Sequence, residues 1–420
     1  RSSDLLSSRS VRCVFAGVLL ALIPVLLALP HPTNFQIRYP WNLVPPEAGK
    51  SVRLTIDRDL QWAAEDAITT LAKQTKATSV SAVIMDSQTG EILALATAPG
   101  FDPNNFSHTK ASLLKVPSVQ DIYEPGSTGK VMTMAAALEE KVVTPISVFK
   151  TPDRIHRAGK LFKDHDNHEV WKLTATGILA KSSNVGTIKI AERMSEHTLY
   201  SYLQKFGIGD RIRLGLPTET AGILNPVEKW SRSTFPTIAF GQSYSVTTIQ
   251  ATSVFATIAN SGIRITPTLV AGTSDSSGHY TAAIKPEVRR VISVDVAKQL
   301  SAMMESVTQE GGTATRAAIP GYRVAGKTGT AQRYDGSCGC YRGYTSSFIG
   351  FAPADKPRFV MSVTVQNPVG IHWGGYLGGP VFKSVISYAL KKYRVPPTGV
   401  EFIPFPLDKA GLKSFAPDKG

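Results

Sequence analysis

The sequence predicts an α/β (α+β) chain, an antiparallel set of strands flanked by helices, on three observations. Two apolar runs, Ser79 to Met85 and Ile92 to Thr97, flank the turn Asp86-Ser-Gln-Thr-Gly90 and read as a hairpin of buried strands. Three strand-like runs near the C-terminal end, Tyr322 to Lys327, Tyr344 to Ala352 and Arg358 to Gln366, pair as a further antiparallel set, with Lys327 at the end of the first. Between the two groups the periodicity is helical, over Thr248 to Ile258 and Asp295 to Val307.

The remaining elements follow in order. Residues 31–50 are Pro-rich and aperiodic, a linker, and Ser51 to Ile56 alternates as a strand. Asp57 then opens a helix in which Leu60, Trp62, Ala63, Ala64 and Ala67 can face a core. Pro125 and Gly126 punctuate the approach to a helix that starts at Ser127 and is carried on by Met132, Met134, Ala135, Ala136, Ala137, Leu138 and Glu139, all good helix formers. Leu173 to Ala180 reads as a second helix that delivers Ser182 and Asn184 at its C-terminal end, and Thr187 to Phe206 as a third. The final helix is expected over Pro380 to Leu390, with an extended Pro-rich tail from Val395. There is no internal repeat.

With 420 residues, 42% of them hydrophobic and 19% charged, the chain can bury a large core and is neither disordered nor of low complexity. The formal net charge of +14 suits an anionic neighbour, but no run of Lys and Arg exceeds two residues and no nucleic-acid motif occurs. A basic surface in an anionic cell envelope is the better reading, with no nucleic-acid partner. Cys13 to Leu29 is an uncharged run of 17 residues preceded by Arg1, Arg9 and Arg12. As a helix it spans about 25 Å, near the lower limit for a bilayer core of about 30 Å. By the positive-inside rule residues 1–30 form a cytoplasmic tip and a single-pass anchor in the lipid bilayer of the cell membrane, with everything after Pro30 outside the cytoplasm. Leu-Ala-Leu-Pro-His-Pro is a poor cleavage site for the rival signal peptide. Cys13 lies in the apolar run, while Cys338 and Cys340 stand in a Tyr/Gly-rich loop without the second ligand pair that zinc needs. Spacing alone leaves open whether those two form a local disulfide.

Chemistry concentrates in three short motifs. Glu-Pro-Gly-Ser-Thr-Gly-Lys at 124–130 sets Ser127 and Lys130 three residues apart, on one face of a helix start, where free amides and the helix dipole favour a developing oxyanion. Alone, this pattern reads as a capping serine and a solvated lysine. It is followed, in order, by Ser182-Ser183-Asn184 and by Lys327-Thr328-Gly329-Thr330. Ser-x-x-Lys, Ser-x-Asn and Lys-Thr-Gly in that order are the signature of penicillin-binding proteins and serine β-lactamases.

On these motifs, with Phe240-Gly-Gln-Ser, Ala325-Gly-Lys-Thr-Gly-Thr-Ala-Gln and Ser347-Phe-Ile-Gly-Phe-Ala-Pro-Ala beside them, the chain from about 50 to 395 resembles the transpeptidase domain of class B penicillin-binding proteins of the cell-division type. The resemblance implies the penicillin-binding-protein/serine β-lactamase-like fold, an antiparallel sheet flanked by helices with an all-helical subdomain, within a transpeptidase domain over 51–394 and a tail over 395–420. It implies a D,D-transpeptidase that cross-links peptidoglycan stem peptides in septal wall synthesis, is acylated on Ser127 by β-lactam antibiotics, and works with a membrane glycosyltransferase and division proteins. Two departures stand out. Gly129 occupies a position where the family carries a bulkier residue, at about 1 kcal/mol of helix propensity against alanine. Residues 31–50 are too few for the N-terminal pedestal domain of the family.

Roles carried over by motif are these. Ser127 is the nucleophile, splitting one hard step into two. Lys130 is the base, Ser182 relays its proton, Asn184 holds the donor peptide amide, and Lys327 supplies positive charge. Thr328, Gly329 and Thr330 bind substrate through the strand and its hydroxyls, and the backbone amides of Ser127 and Thr330 form the oxyanion hole. No metal or organic cofactor is needed.

Three alternatives are weighed. Gly321-Tyr-Arg-Val-Ala-Gly-Lys-Thr328 satisfies a nucleotide-binding pattern that requires a helix directly after it, yet Gly329, Thr330, Asp335, Gly336 and Gly339 follow. A serine β-lactamase or β-lactam sensor is the nearer rival, but class A deacylation uses a separate glutamate, and three residues before Leu224-Asn225 stands Ala221. A non-catalytic division scaffold has no use for three intact motifs. His165, Asp166, His168 and His372 invite a metal or triad reading, but Ser-Lys chemistry needs no imidazole, and they read as loop histidines, with His372 and Trp373 placed to line the cleft.

Overall fold

The computed structural model describes residues 49–415, apart from Ser337 and Thr398. Its centre is a five-stranded antiparallel sheet. The strands are β1 (Ser79–Asp86), β2 (Ile92–Ala98), β3 (Ala325–Asp335), β4 (Cys340–Ala352) and β5 (Phe359–Gln366), in the order β3-β4-β5-β1-β2. The last three strands of the sequence therefore insert beside the first hairpin, β5 pairing with β1 from Phe359 opposite Asp86 to Gln366 opposite Ser79. Both faces are covered, so the strands alternate between two apolar surfaces rather than between core and water. Ala82, Ile84, Met361 and Val363 pack with α1 (Arg58–Thr75) and the C-terminal helix, whereas Val83, Met85, Ile349 and Val360 pack with the internal helices.

Those internal helices are α2 (Lys130–Glu139), α3 (Ala175–Ala180), α4 (Asn184–Ala191), α5 (Glu196–Lys205), α6 (Thr248–Ala259) and α7 (Val294–Glu305), and α8 (Gly374–Lys392) closes the other face. α6 is buried along its whole length and starts in a capping box, Thr247 bonding the Gln250 amide while the Gln250 side chain returns to the Thr247 amide. Smaller antiparallel pairs surround this framework, among them Val148–Thr151 with Trp171–Thr174 and the hairpin Arg154–Arg157/Lys160–Lys163.

The expected hairpin, the helix capped by Asp57 and the helices at 248 and 295 are all present within a few residues. Several boundaries differ, each for a physical reason. Trp62 is 67% exposed, because α1 buries Leu60, Ala64, Ile68 and Leu71, and a residue two positions from Leu60 points the opposite way. Residues 171–174 form a strand, so α3 starts only at Ala175, capped by Thr174. The stretch 187–206 is two helices, since Ser195 bonds the Thr198 amide and caps a new start. β3 begins at Ala325 rather than Tyr322 and runs on to Asp335, leaving Lys327 near its start. That continuous strand also removes the nucleotide-binding reading, which required a helix after Thr328.

α8 begins six residues before Pro380 with glycines that propensity disfavours. A Cβ on Gly374 would lie 2.1 Å from the Ser347 carbonyl oxygen, and one on Gly375 2.2 Å from that of Thr313. Close approach to the sheet selects glycine there. Cys338 and Cys340 form a disulfide at the exposed tip between β3 and β4. The run Cys13 to Leu29 and the linker as far as residue 48 lie outside the described residues. Among the described residues no helix is long and apolar enough to cross a membrane.

Candidate active site

The three motifs converge where α2, the α3–α4 turn and β3 meet. Ser127 does not sit in the α-helix itself: Gly126–Gly129 is a single 3-10 turn, and α2 starts at Lys130. Gly126 adopts φ +53°, and its amide bonds the Gly241 carbonyl at 2.8 Å. A Cβ on Gly126 would stand 3.1 Å from that of Ala331, so the turn is wedged between β3 and the 240–246 segment. Ser127 stays partly exposed while Lys130 is fully buried.

Ser182 occupies the turn between α3 and α4 in the left-handed region, φ 59°, a conformation costly for a residue with a Cβ and concentrated at functional sites. It takes this backbone because Ser183 must cap α4, accepting the Gly186 amide at 2.8 Å. The outcome is a hydroxyl suspended between two lysines. Lys130 Nζ donates to the Ser182 carbonyl at 2.5 Å and to its Oγ at 3.3 Å, and Lys327 Nζ donates to the same Oγ at 2.9 Å. With both lysine nitrogens donating, the hydroxyl keeps its own hydrogen to give. Among the described residues no hydrogen bond joins Ser127 Oγ to Lys130 or to Ser182, so the structure brings the three together without linking the nucleophile to its base.

Asn184 is the first residue of α4, and its Nδ2 donates to the Lys163 carbonyl at 3.0 Å, leaving Oδ1 as an acceptor. Lys327 Nζ also reaches the Thr328 carbonyl at 3.2 Å and its Oγ1 at 3.3 Å, and Thr328 Oγ1 bonds Thr313 Oγ1 at 2.9 Å. Gly329 is sterically required: a Cβ there would stand 2.4 Å from Ser347 Oγ and 3.0 Å from the Pro125 carbonyl oxygen. Thr330 Oγ1 accepts weakly from the Gly374 amide at 3.4 Å. β3 is the sheet's edge, so amides on its outer side are not used by the ladder and face the nucleophile turn.

Asp164 was not singled out by sequence. It is buried and accepts from Ser183 Oγ at 2.6 Å, from the Val185 amide at 2.9 Å, and faces His168 Nε2 at 3.1 Å. His168 in turn stacks on Trp171, ring centroids 3.4 Å apart. Of the residues read as loop histidines, His168 thus supports the Ser-Ser-Asn turn through Asp164, whereas His165 and its neighbour Asp166 are exposed. Among the described residues no cluster of His, Cys, Asp and Glu suits a metal ion. At the mouth, His165 meets Trp373 edge to face at 4.5 Å, and His372 stacks on Tyr344 at 4.0 Å.

Burial sets the protonation. It lowers Lys130 to about 7, against the opposing pull of the Asp164 charge. Lys327 is also lowered well below its ordinary value, by burial and then by the Lys130 ammonium. Lys327 was expected to push Lys130 down. Burial is the first cause at both lysines, and the like charge of Lys130 adds to it at Lys327.

The penicillin binding protein transpeptidase domain matches residues 80–387. The penicillin-binding protein PbpB of Mycolicibacterium smegmatis is 39% identical over 359 residues, covering 83% of this chain and 55% of that protein. The probable peptidoglycan D,D-transpeptidase PenA of Neisseria flavescens is 34% identical over 361 residues, 86% of each chain. Among solved structures, penicillin-binding protein 3 of Mycobacterium tuberculosis in complex with aztreonam superposes with a TM-score of 0.82 at 34% identity, covering 89% of this chain and 84% of that one. The chain spans about half the length of the mycobacterial PbpB relatives. With a family match over most of its length and its three motifs gathered round one serine, the chain belongs to the penicillin-binding protein transpeptidase family.

Proposed function

We propose that this chain is a penicillin-sensitive D,D-transpeptidase that cross-links peptidoglycan stem peptides through an acyl-serine intermediate. The observation that carries the reading is the Ser182 hydroxyl held at 3.3 and 2.9 Å from Lys130 and Lys327, with Lys130 near neutrality. Ser127 Oγ attacks the carbonyl of the penultimate D-alanine, and Lys130 takes its proton. Ser182 passes the proton to the leaving amine, and terminal D-alanine departs. Asn184 Oδ1 accepts the donor amide, Lys327 with Thr328 and Thr330 receives the terminal carboxylate, and the amides of Ser127 and Thr330 receive the oxyanion, whose loss typically costs ~10²–10³-fold in rate. Penicillins acylate the same serine.

The same reading extends outward. It takes residues 1–30 as cytoplasmic tip and anchor, 31–50 as linker, 51–394 as the transpeptidase domain and 395–420 as a tail. The catalytic domain then lies outside the cytoplasm, in septal wall synthesis beside a membrane glycosyltransferase and division proteins.

Incubation with a fluorescent penicillin tests the core of it. Stable labelling of the parent, lost in Ser127→Ala without loss of fold, is expected. Rapid turnover means a lactamase, an unlabelled parent means a scaffold, and a penicilloyl adduct on the alanine variant by intact mass ends the assignment of Ser127.

A further inference from the structure

A cavity of about 450 Å³ lies at the end of the sheet toward which β3 runs from Lys327. Its walls include Ser79, Thr97, Ser112, Arg333 and the ion pair between Lys115 and Asp121 at 2.8 Å. Lys115 and Asp121 neutralise one another, which leaves Arg333 as the net charge of the lining. Among the described residues no hydrogen bond or ion pair engages its guanidinium, and the hydroxyls of Ser79, Thr97 and Ser112 are likewise without protein partners. An unpaired guanidinium that lines one cavity with free hydroxyls is the chemistry of a carboxylate site.

Arg333 stands on the same strand as the substrate-binding motif, three residues past Thr330. At about 3.3 Å per residue that is roughly 10 Å of strand. Along β3, Arg333 shares a face with Lys327, Gly329 and Ala331, the face on which the Ser127 turn packs against Gly329 and Ala331. A cross-linking enzyme needs two peptides in register, and the three motifs account only for the donor.

We propose that this cavity is a subsite for the acceptor strand, in which Arg333 pairs with a carboxylate of the acceptor stem peptide; the inference rests on the transpeptidase reading above. The acceptor amine attacks the Ser127 ester carbonyl, its C–N bond forms as the bond to Ser127 oxygen breaks, and the amine proton returns to that oxygen. Arg333 takes no part in bond making. It positions the amine by holding the far end of its strand.

A benzoyl-D-alanyl thioester as donor, with Nα-acetyl-lysine or Nα-acetyl-lysinamide as acceptor, separates the two halves of the reaction. The parent should favour the carboxylate acceptor over the amide. Arg333→Gln should lower that preference by about tenfold, the worth of one charge-assisted hydrogen bond, through the acceptor concentration needed for half-maximal aminolysis. Arg333→Lys should restore part of it, and penicillin acylation, which uses no acceptor, reports whether the donor half is intact. An unchanged preference in Arg333→Gln, or an equal fall of acylation and aminolysis, overturns the subsite. A parent that no thioester or penicillin acylates overturns the transpeptidase reading instead.

Discussion

The hydroxyl of Ser183 donates to the buried carboxylate of Asp164 at 2.6 Å, tying the turn that carries Ser182 to a loop 19 residues earlier. The same carboxylate sits close enough to favour the Lys130 ammonium against burial. Asp164 therefore holds the relay serine in place and restrains the base at once.

Asp164→Asn keeps an oxygen for Ser183 but removes the charge. The Asp164 charge raises the Lys130 value, so its loss lets Lys130 give up its proton at lower pH. Penicillin acylation, rising through about 7 in the parent, should rise at lower pH in the variant. An inflection that stays where it was means that the charge of Asp164 does not reach the base.

Lys327→Ala separates two effects. Because burial is the first cause of the low Lys130 value, the acylation inflection should remain near the parent's value, while acylation by carboxylate-bearing β-lactams slows through a weaker first encounter. A large upward move of the inflection would show instead that a charged Lys327 holds Lys130 down.

Lys130 also weighs on the fold. Its folded value is lowered from 10.5 to about 7, so below pH 10 the unfolded chain binds a proton that the native state binds only near 7, and stability falls across that window as pH drops. At about 1.4 kcal/mol per unit the burden is a few kcal/mol at neutral pH, less what the bonds to Ser182 return. Lys130→Met should raise the melting temperature at pH 7, with the gain shrinking toward pH 10, while acylation is lost. Melting curves at the two pH values decide it.

Gly129 reads in the sequence as a helix-weakening choice. In the structure a Cβ there would stand 2.3 Å from the Tyr244 hydroxyl and 2.9 Å from Gly241 Cα. Tyr244 is buried, and its hydroxyl has no hydrogen-bond partner among the described residues. Gly129→Ala should destabilise by about 1–3 kcal/mol, as overpacking does, despite better propensity. Tyr244→Phe in the same chain should recover part of the loss in chemical denaturation, and additive effects would refute the pairing.

What could be read without the structure follows from how local each signal is. The hairpin at 79–98, the cap at Asp57 and the motif residues Ser127, Lys130, Ser182, Asn184 and Lys327 are carried by neighbours in sequence, and the fold brings them to one place. Asp164 was missed because a lone aspartate acquires its role only when the hairpin 154–163 carries it under the Ser-Ser-Asn turn. The early start of α8 was missed because its glycines answer to Ser347 and Thr313, far away in sequence. Trp62 was misplaced by a list of apolar letters, where the spacing from Leu60 already pointed outward.

The bond between Cys338 and Cys340 carries a different kind of information. Both residues are exposed at a hairpin tip, within reach of any soluble dithiol. Each molecule therefore takes on the redox state of its surroundings: chains held in a reducing medium weigh two hydrogens more than chains held in an oxidising one. A mass spectrum of the native pool then reads the redox poise that the hairpin tip meets, with no label and no assay of activity.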